Sequence, residues 1–135
     1  MSDWNQSTIE EFRANDGKVG GMFKGANILL LHHTGARSGV ERISPLMYQP
    51  VEGGYAVFAS KGGADTNPDW YHNIRANPET KVEVGTQIVA VSARVAEGEE
   101  HEEIWEQQKL DRPQFAGYEQ KTGRDRIPVI ILEKV

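Results

Sequence analysis

The chain has 135 residues, no cysteine and a net charge of −5 from 15 basic and 20 acidic side chains, which fits one domain spanning residues 1–135 and excludes disulfides, thiolate metal sites and cysteine nucleophiles. No apolar run approaches the roughly 20 residues of a membrane span, and the N-terminus MSDWNQSTIEEF lacks the basic and apolar regions of a signal peptide. An acidic chain without a basic stripe does not suit nucleic acid, so a cytoplasmic protein is expected, with peripheral contact with a membrane left open.

Residues 1–25 read as an N-terminal helix and a glycine-rich lead-in. Ser7 and Glu10 have the spacing of a capping box, which predicts a short helix from Ser7 to about Asn15. Gly17, Gly20, Gly21 and Gly25 rule out a longer one. Residues 28–31 are apolar on both faces, as in a strand covered on two sides. The turn at 34–39 leads to a returning strand, 42–49, with Ile43, Pro45 and Met47 on one side and Ser44, Leu46 and Tyr48 on the other. Pro45 has no N–H to donate, so that strand has an open edge or a bulge there. A turn at Gly53-Gly54 opens a third strand, 55–60.

Asn67-Pro68 predicts a helix start, with Asn67 as N-cap, and Pro78 stops the helix at about Asn77. Strands are expected at 81–84 and 89–95, the second placing Val89, Val91, Ala93 and Val95 on one face. Six glutamates then fall within residues 97–106 without a lysine or arginine, leaving 14 acids against 15 bases elsewhere. This stretch reads as a solvated helix face, with Lys109 and Arg112 late where the helix dipole favours them. A short helical piece at 114–122 and a last strand at 128–132 complete the order. Meandering strands with short turns suggest an antiparallel barrel of about six strands flanked by helices, an α+β, mainly β, fold.

Among chemistry-bearing residues, His32 and His33 point to opposite faces of a strand and cannot share a metal. His72 and His101 stand alone on predicted helices, and no carboxylate has ligand spacing, so no metal is expected. A serine hydrolase is unsupported for want of a G-x-S-x-G elbow. Two glycine-containing loops do carry cations: Gly35-Ala36-Arg37-Ser38-Gly39 with Arg42, and Ser60-Lys61-Gly62-Gly63. Backbone N–H groups there can approach a ligand while Arg forks and a Lys supply charge. Trp70 and Asn73, at i and i+3, share a helix face. This chemistry suggests an aromatic ligand bearing phosphate; hairpin tips and a core tryptophan are the alternative reading of the same residues.

The same segments resemble the deazaflavin-dependent nitroreductase family. The matching pieces are residues 29–39 (LLLHHTGARSG), Arg42, Pro45-Leu46, Ala59-Ser60-Lys61-Gly62-Gly63, residues 67–78 (NPDWYHNIRANP) and Arg126-Ile127-Pro128-Val129. Together they cover about residues 20–135. The resemblance implies a split β-barrel of the flavin-binding type and coenzyme F-420, an 8-hydroxy-5-deazaflavin, as reductant. It implies that the coenzyme's phosphate and tail lie by Ala36, Arg37, Ser38 and Arg42. Ile43, Ser44, Pro45, Leu46 and Met47 would line the pocket, and the ring would meet Phe58, Ala59, Ser60 and Lys61 with Asp69, Trp70, Tyr71, His72 and Asn73. A hydride would pass to a small-molecule acceptor such as a quinone, activated alkene or nitroaromatic, with Ser60 and Tyr118 placing the acceptor oxygen. Relatives carry several tyrosines near the C-terminal helix, whereas Tyr118 is the only one here, a departure that bears on substrate rather than coenzyme. The other readings are a carrier of flavin, deazaflavin, haem or fatty acid in the same barrel without turnover, and an oxidase using FMN. Monomer and homodimer are both compatible with the sequence.

Overall fold

The computed structural model describes residues 3–20 and 27–135, with side chains from residue 6 onward; residues 21–25 of the glycine-rich lead-in lie outside the described residues. Helix α1 (Asp3–Ala14) is followed by β1 (Ile28–Thr34), β2 (Glu41–Val51) and β3 (Gly54–Phe58). After a single 3-10 turn at Lys61–Gly63 come α2 (Asp69–Ala76), β4 (Glu79–Val84), β5 (Gln87–Val95), α3 (Gly98–Asp111), α4 (Gln114–Lys121) and β6 (Val129–Lys134). The six strands form a closed barrel in the order β1-β2-β3-β6-β5-β4, and every pair is antiparallel.

Alternation along the strands sorts side chains between the barrel interior and its outer face. Leu29, Leu31, Val57, Val82, Val91, Ile130 and Leu132 fill the interior, where Trp70, Tyr71 and Ile74 of α2 pack against them. Outside, Ile9 and Phe12 of α1 cover Ile28 and Leu30. Ile104 and Trp105 of α3 and Phe115 of α4 cover Ala56, Phe58, Val129 and Ile131. The near-continuous apolar runs of β1 and β6 follow from this, since both faces of those strands are buried.

Two helix starts differ from the sequence expectation. Helix α1 begins at Asp3, so Ser7 sits inside it and caps nothing. Glu10 instead accepts a hydrogen bond from Gln6 Nε2 at 3.2 Å, one turn back. At α2 the cap position falls to Pro68, with no side-chain cap. Asn67 is drawn away because its Oδ1 accepts from Arg124 Nη1 at 2.5 Å, a charged donor that outcompetes a backbone N–H. The far end of α1 is held by close approach. Gly17 adopts φ +93°, and a Cβ there would stand 2.6 Å from Gly85 Cα in the β4–β5 turn, so only glycine fits.

The expectation at Pro45 is met by an open edge. β2 pairs with β1 along 41–47, opposite residues 28–34. Its other side pairs with β3 only from Tyr48 to Val51. The barrel is therefore split between the first half of β2 and the end of β3, where a proline costs no ladder bond.

Candidate functional site

The turn from β1 to β2 is shaped by its own small residues. Gly35 N–H donates to Val40 O at 2.9 Å and Gly39 N–H to Gly35 O at 3.0 Å, with Gly39 at φ +72°. A Cβ on Gly35 would collide with Ser38 Oγ, which itself accepts from Val40 N–H at 3.2 Å. The turn thus leaves Arg37 and Ser38 exposed at its tip. Because β2 and β3 run antiparallel, the end of β3 and the loop after it lie at this same end of the barrel, beside the start of α2.

Three clefts open along the split. The first, about 670 Å³, is lined by Gly35, Ala36, Arg37, Ser38, Arg42, Asp69, His72 and Asn73. The second, about 540 Å³, shares Arg42 and Asp69 with it and adds His33, Glu41, Ile43, Ser44 and Trp70, with Gln6, Ile9 and Arg13 from α1. The third, about 160 Å³, is lined by Pro45, Leu46, Met47, Phe58, Phe115, Ser60 and Tyr118. It is a mostly apolar slot with two hydroxyls. The first two carry guanidinium groups, Arg37 and Arg42 in the first and Arg42 and Arg13 in the second, with Asp69 in both, and such forks suit an anionic ligand.

Of the residues singled out in the sequence, Ala36, Arg37, Ser38, Arg42, Asp69, His72 and Asn73 come together about the first cleft, and Ile43, Ser44 and Trp70 about the second. Pro45, Leu46, Met47, Phe58, Ser60 and Tyr118 meet in the third. Ala59 and Tyr71 are buried in the barrel core. Lys61 is exposed, lines none of these three clefts and donates from Nζ to Thr66 Oγ1 at 3.2 Å.

Sequence reading missed Arg124. Its guanidinium donates from Nη1 to Ala59 O at 2.8 Å, from Nη2 to Ser60 O at 2.9 Å and from Nε to Thr122 Oγ1 at 2.8 Å, besides its bond to Asn67. It thereby ties together both ends of the loop from Ala59 to Asn67. Asp65 Oδ1 accepts from Gly123 N–H at 2.7 Å and fastens the middle. No local pattern marks such a clamp, since its partners in that loop lie about 60 residues away in the chain.

The two adjacent histidines separate as expected. His32 faces outward, with Nε2 2.7 Å from Glu83 Oε2, and Arg13 of α1 grips the same carboxylate at 3.1 and 2.6 Å. The Arg13 hydrogen bond, with help from His32, holds Glu83 below the usual carboxylate range. His33 faces inward and is 4% exposed. Burial first, then the Arg42 charge, pushes its pKa down to about 4, while Asp69 pulls the other way. Its ring nitrogens meet Asn73 Nδ2 at 3.0 Å and Ser44 Oγ at 2.9 Å. No group of three or more metal-ligating side chains occurs among the described residues, and none of their helices is long and apolar enough to cross a membrane.

Six antiparallel strands, an open edge on β2 and covering helices define a class: split β-barrel proteins. The chain belongs to the F420H2-dependent quinone reductase family, whose model matches residues 4–134. An F420H2-dependent quinone reductase of Mycobacterium tuberculosis is 32% identical over 127 residues, covering 91% of this chain and 85% of that protein. The solved structure of an F420-H2 dependent reductase, FDR-A, is 44% identical with a TM-score of 0.71, covering 79% of this chain and 94% of its own. A second solved structure, a domain-swapped dimer, is 40% identical with a TM-score of 0.73, covering 95% and 93%. The protein is thus an oxidoreductase whose cofactor is coenzyme F-420.

Proposed function

We propose that the protein transfers a hydride from reduced coenzyme F-420 to a quinone, with the coenzyme along the split edge of β2 and the quinone oxygen at Ser60 and Tyr118. The observation that carries this reading is one juxtaposition. A cationic cleft, an unpaired strand edge and an apolar slot with two hydroxyls lie at one end of the barrel. The donor set fits the coenzyme: Arg37 and Arg42 offer charge to a phosphate and an anionic tail, and backbone and side chains of 43–47 face a flat ring. When bound, F-420 supplies the two-electron hydride chemistry. The protein's part is to orient and to hydrogen-bond. Ser60 and Tyr118 offer O–H donors to the quinone oxygen that gains charge, and Phe58, Phe115 and Met47 exclude water from the slot. One proton accompanies the hydride to give a hydroquinone, and the Tyr118 hydroxyl, half-buried at the slot, would donate it.

Asp69, Trp70, His72 and Asn73 complete the coenzyme cleft from α2, while Ala59, Lys61 and Tyr71 act from behind it through the loop and the core. Cytoplasmic location and a homodimer belong to the same reading, the second supported by the dimeric neighbour and tested by sedimentation.

Titration with F-420 and with FMN tests the coenzyme assignment. F-420 should bind more tightly, and its affinity should fall with rising salt, because Arg37 and Arg42 are exposed. Equal affinity for both, or no affinity for F-420, contradicts it.

A further inference from the structure

One hydrogen-bond chain behind the clefts has its polarity fixed by covalent structure. The backbone N–H of Ala36 can only donate, and it meets Asn73 Oδ1 at 3.0 Å. That orients the Asn73 amide, so its NH2 group faces His33 Nδ1 at 3.0 Å. An NH2 also can only donate, so Nδ1 must be the bare, accepting nitrogen. A neutral His33 therefore carries its proton on Nε2 and donates it to Ser44 Oγ, 2.9 Å away. Ser44 accepts there, and no other partner takes its hydroxyl among the described residues. Its own proton remains free to donate. Ser44 lines the second cleft next to Arg42, which lies two residues earlier on the same face of β2.

We propose that His33, held as a neutral Nε2–H imidazole by Asn73, fixes the Ser44 hydroxyl as a hydrogen-bond donor to an anionic oxygen of the coenzyme beside Arg42. His33 and Asn73 are then positioning residues, and Ser44 touches the ligand. The inference rests on the F-420 reading and deepens it. Around the His33 ring, Arg42 of β2 and His32 of β1 disfavour a second proton and Asp69 of α2 favours one. Protonated Nδ1 would also point an N–H at the Asn73 NH2, two donors face to face.

The test combines ring nitrogen NMR of the parent protein with F-420 titrations of Ser44→Ala, His33→Leu, their double variant and His33→Gln. The His33 ring should show the Nε2–H tautomer from pH 8 to pH 5. Ser44→Ala should raise the F-420 dissociation constant about tenfold, the loss of one charge-assisted hydrogen bond, with an unchanged melting temperature. His33→Leu should raise it by a similar factor, the double variant no further, and His33→Gln, which keeps a terminal N–H donor, should recover part of the affinity. A merely structural His33 would still weaken binding when Ser44 is already Ala. An Nδ1–H or doubly protonated ring at pH 7, or a Ser44→Ala variant that binds F-420 like the parent, overturns the inference while leaving the proposed function intact. A parent protein that does not bind F-420 overturns both. Should His33→Leu fail to fold, the parent's NMR and Ser44→Ala still decide.

Discussion

Arg37 and Arg42 stand on the rim of the first cleft with no barrel core beneath them, so their work is separable from folding. Each charge-assisted hydrogen bond to a phosphate contributes roughly 1.5–3 kcal/mol, or about ten- to a hundredfold in affinity. Arg37→Ala and Arg42→Ala should each raise the coenzyme dissociation constant by that order and leave the melting temperature nearly unchanged. Arg37→Lys should recover only part, since it keeps the charge without the fork. Titration beside a thermal melt checks both. His33 makes a different prediction. Its folded pKa of about 4 lies below the ordinary 6.5, so between those values the unfolded chain binds a proton that the folded chain refuses. Stability should fall as pH drops from about 6.5 toward 4, and His33→Gln should flatten that part of the curve in denaturant titrations. These cations and both histidine faces were legible in the sequence, because a strand's period of two and a glycine-bounded turn are local. The grip of Arg124 on Ala59 and Ser60 was not, because it depends on where β6 returns.

The elements show the same division. β1, β2 and the open edge at Pro45 follow from apolar pattern and a missing N–H, both readable without neighbours. Helix α1 begins earlier than its capping signal suggested, and Ile9 and Phe12 seat its later turns on Ile28 and Leu30. Phe12 is 1% exposed. Phe12→Ala should cost roughly 3–5 kcal/mol, measured by denaturant unfolding, and should loosen α1 and with it the Gln6, Ile9 and Arg13 wall of the second cleft. The salt link from Arg13 to Glu83 adds a pH term. Because Glu83 is held below its ordinary value, its contribution is present above about pH 4.5 and is lost as pH falls further.

For the molecule as a whole, closure of the barrel turns these local features into a site. β2 joins β3 only over its last residues, Tyr48 to Val51, so the same topology that fills the interior also leaves the first half of β2 open on that side. The count of six strands and their antiparallel meander could be read from turns and alternation. The strand order, which places β6 between β3 and β5, could not, because it rests on pairings between distant segments. That order sets Phe115 and Tyr118 of α4 against Phe58 and Ser60, forming the slot proposed for the acceptor. Ser60→Ala and Tyr118→Phe should each lower quinone turnover about tenfold or more, with coenzyme affinity little changed. The most direct test of the account is anaerobic single-turnover mixing of the protein, loaded with reduced F-420, against a soluble quinone such as menadione. The coenzyme should be oxidised as one hydroquinone forms per coenzyme, faster than without protein and slower in the Ser60 and Tyr118 variants. Bound coenzyme that stays reduced in the presence of quinone would contradict it.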